Sequence, residues 1–87
     1  MALLHPRAHS RKRCYLKARF VFNNGYSSLD VILRDISPTG ARAAEVDMRH
    51  VPGRFDLIVA GPSGPPVRRH AKSVWRGDRA MGLAFVA

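Results

Sequence analysis

One cysteine, six acids and no long apolar run are what this chain has least of, and each shortage excludes something. A lone Cys14 can form neither an intramolecular disulfide nor a cysteine-cluster metal site, and it fits a reducing compartment. Every apolar stretch falls short of the roughly 18 residues that a membrane span needs. The opening Met1-Ala2-Leu3-Leu4-His5-Pro6 is also too brief an apolar run for a signal peptide, so the expectation is a cytoplasmic protein with no membrane insertion. The acids are scattered singly, and His5, His9, His50 and His70 lack the i, i+2 or i, i+4 spacing of metal ligands. With no paired carboxylates, no nucleophile beside a base and no metal set, the chain reads as a non-enzyme.

What is present is a small folded domain with a strong positive charge. At 87 residues the chain can support a single core only, because a protein this short buries roughly 60–65% of its unfolded surface. A hydrophobic content of 46% against 24% charged argues for a folded body rather than a disordered chain. The net charge of +9 comes from twelve Arg and only three Lys. Arginine presents a planar fork of donors that grips phosphates or guanine edges bidentately, so the expected partner is anionic.

Residues 1–13 hold Arg7, Arg11, Lys12 and Arg13 without a single acid, and read as a flexible basic N-terminal arm ahead of a β-domain over 14–87. From Tyr15 the pattern alternates, with Ala18, Phe20 and Phe22 on one face. Asn23-Asn24-Gly25 supplies a hairpin turn, since Asn and Gly tolerate positive φ. The return strand, about 26–37, puts Leu29, Val31 and Leu33 on one face, and strict alternation would carry Asp35 and Ser37 along with them. Ser37-Pro38-Thr39-Gly40 has type I turn chemistry. Further runs over about 41–46, Phe55 to Val59, Val67 to Arg76 and Met81 to Phe85 complete six strands, with Ala71, Ser73 and Trp75 expected on one face of the fifth. No stretch makes a convincing long helix. This spacing predicts an all-β fold, a six-stranded antiparallel barrel whose closure avoids exposed edges, with Trp75 as a core or barrel-closing aromatic.

Two motifs carry chemistry. Arg7-Ala8-His9-Ser10-Arg11 spaces two arginines four apart, and Asp35-Ile36-Ser37-Pro38-Thr39-Gly40 sets a carboxylate and a hydroxyl at a turn. The second can be structural, since Asp and Ser cap turns by accepting backbone N–H bonds. Functionally, a carboxylate can accept hydrogen bonds from the N1–H and exocyclic amine of guanine, while turn N–H groups could hold a phosphate or base edge.

In that order, RxxxR followed by DxSxxG resembles the PilZ domain family. Val74-Trp75-Arg76 and Met81-Gly82-Leu83-Ala84-Phe85 look like the family's last hairpin. The resemblance implies a six-stranded β-barrel that binds the bacterial second messenger cyclic di-GMP and acts on a downstream protein partner. It assigns Arg7 and Arg11 to phosphates and guanine faces, Asp35 and Ser37 to a guanine, and Gly40 to the turn. Arg13 offers a second register that would leave His9 in the first motif position, so Arg7 and Arg11 are preferred and Arg13 is auxiliary. Arg34 and Arg42 flank the aspartate as further auxiliary phosphate contacts. The chain ends after the sixth strand without the C-terminal helix of many members, which leaves one barrel mouth without that cover. Two other readings stand beside this one: a PilZ-like protein-interaction module that binds no nucleotide, and a small basic barrel that binds nucleic acid through phosphates.

Overall fold

The computed structural model describes residues 12–61 and 64–86. Six strands follow in chain order: β1 (Lys12–Phe22), β2 (Ser27–Ser37), β3 (Gly40–Ala44), β4 (Arg54–Val59), β5 (Val67–Arg76) and β6 (Ala80–Phe85). They form a closed barrel in the order β1-β2-β3-β6-β5-β4, every neighbouring pair antiparallel. The all-β barrel expected from the alternating runs is therefore the fold. Among the described residues the only helical element is the three-residue 3-10 turn Asn23–Gly25. There φ is positive at Asn23, Asn24 and Gly25, the conformation that residue types of this kind accept most readily. No described helix is long and apolar enough to cross a membrane.

Alternation fills the barrel. Ala18 and Phe20 of β1, Val31 and Leu33 of β2, and Leu57 of β4 all point inward and are buried. Phe20 and Phe55 pack with ring centroids 4.3 Å apart. Two inserts from the β3–β4 connection, Met48 and Val51, are buried with them. Arg76 pins that connection by donating from Nη1 to the Met48 carbonyl oxygen at 2.9 Å and to the Val51 carbonyl oxygen. Side chains from the loop thus stopper the interior where strand residues run out. Near β5, the Arg69 guanidinium lies 4.2 Å from the centroid of the Phe85 ring.

The strands differ from simple alternation at three places. The β1–β2 register shifts between Arg13 and Leu16, the β2–β3 register between Leu33 and Asp35, and the β5–β6 register between Ser73 and Trp75. β1 also begins at Lys12, so Arg13 lies in the barrel rather than in the arm to which its charge assigned it.

Candidate functional site

The bulge in β2 decides where the aspartate points. Pairing steps from Leu33 opposite Ala43 to Asp35 opposite Arg42, which makes Arg34 an extra residue. Ala41 and Ala43 are buried, so Arg42 between them faces outward, and directly opposed residues of an antiparallel pair share a face. Asp35 therefore lies on the outer surface, not on the Leu33 side that strict alternation implies. Ile36 turns back to pack against the core, and Ser37 follows Asp35 outward. The two polar residues do share a face, but it is the barrel's exterior.

On that exterior the register aligns one row across five strands. Arg13 of β1 faces Asp35 of β2, which faces Arg42 of β3, then Gly82 of β6, then Trp75 of β5. Arg42 Nε donates to Asp35 Oδ2 at 2.6 Å, with the aspartate side chain only 14% exposed and the arginine side chain 37%. A hydrogen bond to a charged group at this depth contributes about 1.5–3 kcal/mol. Arg13 is exposed at the other end of the row.

Trp75, like Asp35, lies on the face opposite to the one that simple alternation implies. The register shift after Ser73 makes Val74 the extra residue and turns Trp75 outward, where it is 45% exposed rather than part of the core. The indole lies on Gly82, where a Cβ would overlap Nε1 and the ring carbons. A glycine in the middle of a strand, between the buried Met81 and Leu83, was the available signal, since such a residue marks a bulge or a close approach. Gly40 has a similar reason: a Cβ there would overlap the Leu83 carbonyl oxygen, so its small size lets β3 approach β6.

The turn itself is closed by its own serine. Ser37 Oγ accepts from the backbone N–H of Gly40 at 3.2 Å and of Thr39 at 3.3 Å. The Thr39 carbonyl oxygen accepts from Phe85 N–H at 2.8 Å, which ties the turn to β6. Both turn N–H groups expected to be open for a phosphate are thus engaged by Ser37. Beside the bulge, the Arg34 guanidinium sits 5.4 Å from the centroid of the exposed Tyr15 ring and its Nη1 pairs with Glu45 Oε2 at 2.9 Å. Glu45 adopts φ of +77°, uncommon for its type, and is held there by backbone and side-chain hydrogen bonds with Arg79.

The structure thus brings Arg13, Asp35, Arg42, Ser37 and Gly40 to one face, with Arg34 at its edge. Arg7 and Arg11 lie outside the described residues. Among the described residues no three His, Cys, Asp or Glu side chains converge as a metal site. Two hollows of about 560 and 620 Å³ lie elsewhere on the barrel and include neither Asp35 nor Ser37. The candidate site is an open face.

No protein-family model matches the chain, and no curated protein matches it. Solved structures do. The PilZ domain of YcgR from Escherichia coli, described with c-di-GMP, aligns at a TM-score of 0.76 and 14% identity over 94% of this chain and 79% of that one. The Bacillus subtilis inhibitor of motility, MotI/DgrA, aligns at 0.73 and 15% identity over 97% of this chain but only 44% of that one. The PilZ domain of CeSA from a cellulose-synthesizing bacterium aligns at 0.71 and 13% identity, covering 90% and 81%. The chain has the PilZ-domain fold, as its two motifs implied.

Proposed function

We propose that this barrel is a cyclic di-GMP receptor whose ligand lies on the outer face centred on Asp35, and that occupancy is relayed to a protein partner. The observation that carries this is the register row: a nearly buried carboxylate between Arg13 and Arg42, continuing to a tryptophan laid on glycine, on a PilZ fold. A guanine-bearing cyclic diphosphate calls for a carboxylate at a purine edge, guanidinium forks at phosphates and a flat apolar surface for a base. Asp35 supplies the first. Arg42 can hold Asp35 through Nε while turning its Nη groups to a phosphate, with Arg13, Arg7 and Arg11 as further cations. Trp75 supplies the flat surface. Gly40 keeps β3 close to β6, and Ser37 fixes the turn. Arg34 contributes from the edge, stacked on Tyr15. No step needs a catalytic group or a metal.

Calorimetric titration of cyclic di-GMP and cyclic di-AMP tests this. The wild type is expected to prefer the guanine ligand, and Asp35→Ala to lose at least about tenfold in affinity, or about 1.4 kcal/mol. Arg11→Ala reports on the arm. Equal binding of both nucleotides, or an unaffected Asp35→Ala variant, would overturn the assignment. A second reading is favoured by one observation: Asp35 and Ser37 already have partners within the barrel, as they would in an interaction module that takes no nucleotide. A folded protein with no detectable binding of either ligand supports that reading. Binding that falls steeply with salt and ignores base identity would point instead to nucleic acid.

A further inference from the structure

The hollow of about 620 Å³ lies between the 3-10 turn, β4 and β5, and none of the Asp35 row lines it. Its apolar lining includes Phe22, Phe55 and Val86, and its basic lining is Arg54, Arg68 and His70 with a single acid, Asp56. Asp56 is engaged by two of these basic groups. It accepts from Arg68 Nε at 2.8 Å, pairs with Arg68 Nη2 at 2.7 Å and shares a hydrogen bond with His70 Nδ1. Its side chain is 19% exposed, while those of Arg68 and His70 are 58% and 74% exposed. The carboxylate is therefore covered by the groups it holds, and among the described residues no hydrogen bond engages Arg68 Nη1 or His70 Nε2. Arg54 is exposed, is in no ion pair among the described residues, and faces Lys72 across the β4–β5 register. The result is a concave surface with an apolar floor and a cationic rim.

We propose that this hollow docks an acidic segment of a partner protein in which Asp or Glu alternates with a large apolar residue. Charge complementarity selects the carboxylates, and the floor selects the apolar neighbours, an arrangement that a lone inorganic anion would not use. The outward side chains at 68, 70 and 72 recur every second residue along β5, the same period at which an extended polypeptide presents one face. Nucleic acid fits less well, because the aromatic rings here are floor rather than exposed stacking platforms: Phe55 is 5% exposed. This surface stands independently of nucleotide binding, although a register row of Ser37, Gly40, Ala84, Lys72 and Arg54 runs from the Asp35 turn to its rim.

The test uses the whole chain and a fluorescein-labelled peptide of alternating Asp and Leu, read by anisotropy. Binding is expected to weaken about tenfold in Arg54→Glu, which breaks no ion pair of the fold, and to stay within about twofold in Lys17→Glu, an equal charge change outside this hollow. An alternating Asp and Ser peptide should bind several-fold more weakly. Circular dichroism confirms that each variant is folded. The proposal is overturned if the two variants lose affinity equally, if the Ser peptide binds as well as the Leu peptide, or if single-stranded DNA displaces the peptide at equal charge concentration.

Discussion

Cys14 sits next to Arg13, packs against the core and donates its thiol hydrogen to the Leu33 carbonyl oxygen at 3.3 Å. Burial raises its pKa above the ordinary value of 9.0, the Asp35 charge adds to this, and Arg34 opposes it. The thiol is therefore a reporter on the candidate site. Less thiolate is present near pH 8 than in an unstructured peptide, so iodoacetamide should alkylate Cys14 slowly there. Replacing Asp35 by Asn removes a charge that raises the pKa, so alkylation should speed up. Replacing Arg34 by Gln removes one that lowers it, so alkylation should slow down. Rates that move together in the two variants would mean that exposure, not charge, controls the thiol.

At the scale of strands, Gly82 is where β6 accepts an aromatic from β5. Gly82→Ala places a Cβ against the Trp75 indole, and overpacking of this kind costs about 1–3 kcal/mol if the ring cannot move. The expected result is a lower urea midpoint and a changed Trp75 emission, with the core otherwise intact. A variant with wild-type stability and emission would show that the indole does not rest on Gly82. The same pair shows how far the sequence could be read. The strands were legible because apolar residues alternate within them, as in Ala18 and Phe20, Val31 and Leu33, and Phe55 and Leu57. The Asn23–Gly25 turn was legible from residue chemistry alone. Strand bulges were not, because Arg34 and Val74 look like ordinary outward residues and their extra place exists only relative to the partner strand. One inserted residue reverses every side chain after it, and this is how Asp35 and Trp75 both came to the outside. The motif residues of the DxSxxG turn could be named in advance, whereas the face they occupy and the presence of Trp75 beside them required the register.

For the molecule as a whole, acid stability depends on how charges bridge neighbouring strands. Asp56 of β4 is held below the ordinary carboxylate range first by its hydrogen bond with His70 and then by Arg68, both on β5. A depressed folded-state pKa contributes stability that is complete above the unfolded value and is lost as pH falls through the folded one. The thermal unfolding midpoint should therefore fall as pH drops below roughly 4, near the unperturbed carboxylate value. Asp56→Asn should be less stable at neutral pH and should show a flatter profile below that point. A variant as acid-sensitive as the wild type would shift the cause to other carboxylates, such as Asp47, whose pKa is also lowered by Arg49.

Closure of the barrel has a further consequence for any partner. With β1 hydrogen-bonded to both β2 and β4, each of the six strands has two neighbours, although the β1–β4 pairing spans Ala18 to Val21 only and the described start of β1 is paired on its β2 side. β-augmentation, in which a guest strand is recognised largely through main-chain groups, is unavailable wherever a strand is paired on both sides. Along those stretches, recognition of other molecules falls to side chains. Specificity there resides in outward residues, and those outside the cross-strand ion pairs, such as Arg54, are the positions at which binding preferences can be rewritten with least effect on the fold.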